Sequence, residues 1–340
     1  MSRVQASAAG ASIPKPSPTP TVAIGPQILA LLEVAYRARR PVLLEGPTGV
    51  GKSQIVEQFA AAAGIDFRVL DLSLLEPPDL VGLPQLIDGR THYAFPAELP
   101  TEGAGVLMLE ELNRAEIPVM QPALQLLSAR RLHAYELPPA WFCVAAINPE
   151  QDDYQVNRLD KALRSRFLQL SVHADTDEWL LWADHKNVHP VVTSFVRRQP
   201  DVFETSAPRS WAYAAEVLSK LSVDELKNRD LVLTLIRGYL PIAWATALTA
   251  SLDTVADVPQ LDAARCKADD GAAYVAGLLK PLLGAGRTDA AAMLAYQLHE
   301  HLVSGEIPAG AAAELASDFP GDLREQIMLA TQASNAPAKP

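Results

Sequence analysis

Gly46-Pro47-Thr48-Gly49-Val50-Gly51-Lys52-Ser53, GPTGVGKS, lies between an apolar run, PVLLE (41–45), and a helical pattern, QIVEQFAAAAG (54–64). The octapeptide satisfies G-x-x-x-x-G-K-[ST]. In that pattern glycines let backbone N–H groups curl around phosphates, Lys52 neutralises the β- and γ-phosphate oxygens and Ser53 holds Mg²⁺. A helix that starts at such a loop also turns its positive end toward the anion. A buried strand before the loop and a helix after it argue against a glycine-rich turn without a ligand. Alone, the loop does not separate a kinase, a GTPase and a motor.

Outward from this loop, short apolar runs alternate with helical patterns from Ile24 to about Val172. The runs are PVLLE, FRVLDL (67–72), GVLMLE (105–110), WFCVAAI (141–147) and FLQLSV (167–172). Continuous apolar strands separated by helices predict a parallel sheet covered on both faces. Gln54–Ala63, closed by Gly64, and Pro118–Leu127 read as crossover helices. From about Asp175 the strand pattern stops. TDEWLLWADH, HPVVTSFVRRQ, SWAYAAEVLSKL, DLVLTLIRGYLPIAWATALTASL and AAAMLAYQLHEHLV all suit helices, the fourth with a break at Pro241. Residues 1–22 are rich in Ala, Ser and Pro with little to bury, as are 331–340, so both read as flexible tails. The expected organisation is an α/β domain over 23–173 and a smaller all-helical domain with its C-terminal extension over 174–330.

The chain has 340 residues, half of them apolar, which suffices for a substantial core. Its net charge of −11 disfavours nucleic acid and anionic membranes as partners. No apolar run is long enough to span a bilayer and the N-terminus carries no signal pattern, so a cytoplasmic location is expected. Two cysteines, Cys143 and Cys266, make no disulfide framework, and the histidines form no zinc-ligand pattern.

The strand ends carry the chemistry that the loop alone leaves open. After the apolar residues of GVLML come Glu110 and Glu111; the first is placed for the Mg²⁺ shell near Ser53 and the second to orient or deprotonate a water. WFCVAAINPE ends at Asn148, a neutral group suited to positioning that water and the γ-phosphate. RLDKALRSRF supplies Arg158, Arg164 and Arg166, any of which at a subunit boundary could reach a neighbour's γ-phosphate. Arg209, in SAPRSW at a helix start, could fold over the nucleotide. Each has a blander reading: a solvated strand end, an Asn-Pro turn, a basic loop, a helix-start arginine.

Taken in order, GPTGVGKS, LMLEELNRA, AAINPE, ALRSRF and APRSW resemble the Walker A, Walker B, sensor 1, arginine-finger and sensor 2 elements of an AAA+ ATPase. The resemblance covers about 24–220. It is nearest to the MoxR group and its dynein-related bacterial relatives of NorQ/CbbQ type, with which LEPPDLVGLPQL (75–86) is also shared. It implies a P-loop AAA+ parallel-sheet sandwich followed by a smaller all-α lid, with ATP and Mg²⁺ as cofactors. Gly46, Pro47, Thr48, Gly49, Val50, Gly51, Lys52 and Ser53 would cradle the nucleotide, with Ser53 and Glu110 toward Mg²⁺. Glu111 would be the catalytic acidic residue, Asn148 sensor 1, Arg209 sensor 2 and Arg166 the finger, with Arg164 close behind. DLVGLPQLIDGRTHYAFPAELP would hold the insert of the second helix and SARRLHAYELPPAW the hairpin before sensor 1, both lining the pore in ring-shaped relatives. One departure stands out: the usual Walker B pair is Asp-Glu, and here the first acid is Glu110. The extra methylene displaces the carboxylate from the octahedral shell that Mg²⁺ demands, so slow hydrolysis is expected.

The resemblance implies an ATP hydrolase that forms a homo-oligomeric, hexameric ring and remodels or matures a partner protein in chaperone fashion. In this family that partner often contains a von Willebrand factor A domain. A nucleotide-switched scaffold with negligible hydrolysis is the competing reading, and Glu110 favours it. A magnesium-chelatase-type or DNA-acting AAA+ subunit is disfavoured by the acidic balance. A small-molecule kinase would not need Asn148, the arginines and a helical lid together.

Overall fold

The computed structural model describes residues 19–150, 157–159, 161–252 and 258–334. Most of the two predicted tails, 1–18 and 335–340, lies outside these residues. The described ends are more ordered than the sequence suggested: Thr21–Ala23 is a strand, and the last helix, Gly321–Ser334, runs into the stretch read as tail.

The sheet contains β1 (Thr21–Ala23), β2 (Val42–Glu45), β3 (Asp66–Asp71), β6 (Gly105–Glu110), β9 (Trp141–Ile147) and β10 (Leu168–His173). Two hairpins interrupt the series: β4 (Leu83–Ile87) with β5 (Arg90–Ala94), and β7 (Arg131–Leu132) with β8 (Tyr135–Glu136). The six sheet strands run in the order β1-β10-β2-β9-β6-β3, and every pairing is parallel. All five strands read from the sequence are present, within a residue of their predicted bounds. β1 was not foreseen, because three residues carry too little pattern to distinguish a strand from a tail.

Strand periodicity sorts the core into two layers. Val42 and Leu44 of β2, with Val106, Met108, Val144 and Ala146, face α1 (Pro26–Ala38) and α2 (Lys52–Ala63). Leu43, with Leu107, Leu109, Ala145 and Ile147, faces the opposite side, where α3 (Pro77–Val81) and α4 (Ile117–Ala129) pack. Each fully buried Leu or Val here contributes about 1.5–3 kcal/mol. Because the strands are parallel, one edge of the sheet gathers all their carboxyl ends, and the loop after β2 leaves from the middle of that edge.

After α5 (Lys161–Arg164) and β10 the described residues form helices, beginning with α6 (Thr176–His185), α7 (Pro190–Arg198), α8 (Val202–Thr205) and α9 (Pro208–Ser219). They gather a third hydrophobic cluster around Trp211, Phe195, Val232, Leu279 and Leu298. The predicted break at Pro241 separates helices Arg229–Arg237 and Ile242–Ser251. Among the described residues no helix is long and apolar enough to cross a membrane.

His189 caps the start of α7 from a buried position, its Nδ1 accepting the N–H of Val191 at 3.4 Å. Burial lowers its pKa from 6.5 to about 4. The unfolded chain therefore takes up this proton first, so the stability it contributes is complete above pH 6.5 and drains away as pH falls toward 4. At pH 4.5 the loss is about 2–3 kcal/mol. Urea midpoints at pH 7.5 and 4.5 should show wild type losing about that much more than His189→Gln; an equal loss in both would contradict this role.

Candidate functional site

The loop GPTGVGKS leaves β2 and enters α2 through backbone that only glycine accepts without strain. A Cβ on Gly46 would lie 2.5 Å from the Val172 carbonyl oxygen of β10, and Gly51 caps α2 with φ +110. No side chain caps α2 and its first turn has no acid, so its leading N–H groups are open to an anion. α2 begins at Lys52, two residues earlier than the sequence pattern suggested, which puts Lys52 and Ser53 in its first turn.

Lys52 is 8% exposed, and its ammonium is held by three acceptors: Gly46 O at 2.6 Å, Pro47 O at 3.0 Å and Asn148 Oδ1 at 3.3 Å. Burial lowers its pKa to about 8, against the opposing pull of Glu111 and Glu110; Arg209 lowers it further. Asn148, fully buried just beyond β9, also accepts from Thr48 Oγ1 at 3.3 Å and donates from Nδ2 to Glu111 Oε2 at 2.6 Å. One amide thus ties the phosphate loop to the carboxylate beyond β6.

Glu110 and Glu111 are neighbours in different settings. Glu110 Oε1 accepts directly from Ser53 Oγ, so the two residues expected to face Mg²⁺ are in contact. Burial raises the Glu110 pKa, and Asp71 and Glu111 raise it further; Arg209 and Lys52 oppose them. Asp71 ends β3 in register with Glu110. Glu111 adopts a left-handed backbone, φ +53, which costs a non-glycine residue about 1–2 kcal/mol. That turn ends β6 and carries the carboxylate toward Asn148, while Arg114 pairs with it at 3.4 Å.

The hydroxyl and carboxylate of Ser53 and Glu110 are hard oxygen donors, and the open loop beside them suits a phosphate, so the residues fit Mg²⁺ with a nucleotide. No cluster of three or more His, Cys, Asp or Glu side chains suited to a metal occurs among the described residues. Mg²⁺ usually takes only one or two protein ligands beside phosphates and water.

The predicted arginines part company. Arg209, at the start of α9, docks on the loop: its N–H donates to Gly49 O at 3.1 Å, and its charge is felt at Lys52 and Glu110. Arg164 is tied within its own chain to Glu45 at 2.9 Å, and Arg158 pairs with Glu150 at 3.2 Å. Arg166 is exposed before β10, near Pro41 and Leu168 at the other edge of the sheet, away from this chain's own loop.

Three parts of the site were not read from the sequence. Asn113, 2% exposed, exchanges two hydrogen bonds with the Asn148 backbone: Asn148 N donates to Oδ1 at 3.2 Å and Nδ2 donates to Asn148 O at 2.8 Å. Its position in EELNRA was visible, but nothing local shows that it reaches β9. Glu45 was passed over as a strand end. A mostly apolar cavity of about 240 Å³ beside the loop, lined by Ile24, Leu29, Val50, Glu178, Trp182 and Arg209 among others, is assembled from segments far apart in sequence.

A parallel sheet with a phosphate loop at the carboxyl end of a central strand defines a P-loop nucleotide-binding fold. Residues 41–167 match the family described as AAA domain (dynein-related subfamily). Over 147 residues the chain is 31% identical to the chaperone MoxR1 of Mycobacterium tuberculosis, covering 42% of this chain and 38% of that protein. It is 34% identical over 137 residues to BssE of Thauera aromatica, also named as a chaperone, covering 37% and 48%. The matches therefore span less than half the length of either relative. The RuvB Holliday junction branch migration motor of Thermotoga maritima aligns with 77% of this chain and 75% of its own at 16% identity, with a TM-score of 0.34. Residues 41–167 thus resemble a dynein-related AAA domain, and the chain is similar in part to proteins of the MoxR type.

Removing the Asn113 side chain strands a buried N–H and a buried C=O, each worth about 1–3 kcal/mol. Asn113→Ala should lower unfolding free energy by about 2–6 kcal/mol in urea titrations. A midpoint unchanged in Asn113→Ala would show that other contacts fix Asn148.

Proposed function

We propose that this chain binds and hydrolyses ATP with Mg²⁺ in a ring of identical subunits and uses the cycle to remodel a partner protein. The observation that carries the reading is Asn148, whose single amide bonds both the phosphate-binding Lys52 and the carboxylate of Glu111. Lys52 would turn its ammonium from loop carbonyls to phosphate oxygens, and the N–H groups opening α2 would cradle the same phosphates. Glu111 would accept the proton of the attacking water, with Asn148 orienting that carboxylate against the transferring group. Mg²⁺, held through Ser53 and Glu110, would offset charge on the phosphate oxygens. Arg209 would link nucleotide state to the helices that follow it. The adenine would lie in the apolar cavity beside the loop.

Arg166 supports the ring: it lies away from its own loop, where it would serve a neighbour's nucleotide, whereas Arg164 is committed to Glu45. Chaperone-named relatives support a protein target, for which a von Willebrand factor A domain is the class we favour. The two hairpins would face that target, with Leu86 and Ile87 exposed on β4 and Tyr93 stacked on His133 at 4.5 Å between them. The switch reading is favoured by one observation, the contact of Glu110 with Ser53, which brings the longer carboxylate against the hydroxyl meant for Mg²⁺.

Steady-state phosphate release should fall at least about a hundredfold in Glu111→Gln while nucleotide binding persists. Wild type no faster than that variant would leave the switch reading standing. Partners trapped on the Glu111→Gln protein with ATP would then define the target. Lys52 gives an independent test. Free Lys52 is protonated only below about pH 8, and phosphate needs the ammonium. Affinity for a fluorescent ATP analogue should hold to about pH 8 and then weaken by up to about tenfold per pH unit, flattening in Lys52→Arg. A level profile to pH 9.5 in wild type would rule this dependence out.

A further inference from the structure

A cleft of about 940 Å³ opens at the amino-terminal edge of the sheet, opposite the nucleotide loop. Arg39, Arg40, Arg130 and Arg166 line it, and no carboxylate does among the described residues. In a chain of net charge −11 this is a concentrated cationic surface. Arg130 is already committed, donating to Trp141 O at 2.9 Å and Pro138 O at 2.8 Å. Arg39 and Arg40 are exposed and make no ion pair among the described residues.

Their backbone is nevertheless fixed. Arg39 closes α1 in the left-handed conformation, φ +54, a position where glycine is the unstrained residue. Arg39 N donates to Tyr36 O and Arg40 N to Ala35 O, each at 3.0 Å. Pro41 follows, and its carbonyl accepts Leu168 N at 2.9 Å, which ties this corner to the start of β10, two residues after Arg166. The backbone contacts thus anchor Arg39, Arg40 and Arg166 along one cleft, with their exposed side chains available to an anion with several oxygens.

Strand polarity identifies that anion. Every strand of the sheet is parallel, so Glu45, Asp71 and Glu110 end at the edge that carries the phosphate loop, and the arginines precede the strands at the other. We propose that Arg39 and Arg40, beside Arg166, receive the nucleotide phosphates held by the loop of a second copy of this chain, stacked head to tail. Such a contact is heterologous and closes into a ring when its rotation permits. This rests on the ring reading above and adds two cations to it. A single-stranded nucleic acid fits the cleft less well: its two aromatic lining residues, Phe142 and Phe167, are both buried, which leaves no stacking platform.

The test uses the full chain with Arg39→Gly/Arg40→Ala, in which glycine suits the left-handed backbone and protects the fold; unchanged thermal melting confirms that. Wild type should assemble with ATP in sedimentation. The double variant should bind a fluorescent ATP analogue as wild type does, yet assemble or turn over at least about tenfold less well. Mixing it with the inactive Glu111→Gln protein should restore part of the turnover, because that partner brings an intact cleft to an intact loop. Unchanged assembly and turnover, or no recovery on mixing, would overturn the proposal and leave the ring standing. Lost ATP binding in the isolated variant would place the arginines in their own site and overturn it too. Wild type that stays monomeric with ATP would instead remove the ring reading. Tight binding of a labelled single-stranded oligonucleotide, abolished in the double variant, would reassign the cleft.

Discussion

A lysine ammonium in a buried position must be solvated by the protein, and around Lys52 that requirement organises the strand ends. Two of its acceptors are carbonyls of its own loop, and the third is the Asn148 amide. Without them, desolvation would push the proton off; even with them its pKa falls to about 8. The amide that serves Lys52 is itself fixed through its backbone by Asn113. Loop, β6 and β9 are thus joined by polar contacts that leave none of these side chains free to drift. The preference is for a site rigid before any ligand arrives, which is what positioning chemistry needs.

The two adjacent glutamates show how environment divides identical side chains. Glu110 still belongs to the strand, half-buried beside Asp71, and is pushed toward its protonated form by burial and by like charge. Glu111 stands outside the strand only because its backbone takes the left-handed turn, and there Asn148 and Arg114 satisfy its carboxylate. A bound triphosphate would add several negative charges to a corner that already holds Glu110, Glu111 and Asp71 against Lys52 and Arg209. Cations from outside this corner are needed for balance.

What the sequence disclosed and what it withheld follow from the range of the interactions. The loop, the strand-end acids and Asn148 were legible because motif and apolar run are contiguous, and β2 or β9 needs only its own residues to be recognised. Helix starts were less sharp: α2 begins at Lys52 because Gly51 caps it in the left-handed region, a backbone fact invisible to periodicity. Asn113 reaches Asn148 across 35 residues and Arg164 reaches Glu45 across 119. Such contacts depend on which strands become neighbours, and the order β10-β2-β9-β6 cannot be read from spacing. The cavity lined by Ile24 and Trp182 is of the same kind.

The distribution of arginine follows from that strand order as well. Arg164 and Arg166 are two residues apart, and one turn of chain sends them to opposite fates. Arg164 finds Glu45 at the carboxyl end of β2 and is neutralised there. Arg166 remains where β10 has yet to begin, beside Pro41 and Leu168. A parallel sheet makes this separation systematic: residues just before strands and residues just after them lie at opposite edges, whatever their distance in sequence. Charge placed by sequence at strand starts and strand ends therefore becomes a polar molecule with unlike faces. Two copies related by a two-fold axis would bring like faces together, arginine on arginine. Head-to-tail stacking would bring arginine to carboxylate instead, which is the arrangement that the proposed ring requires.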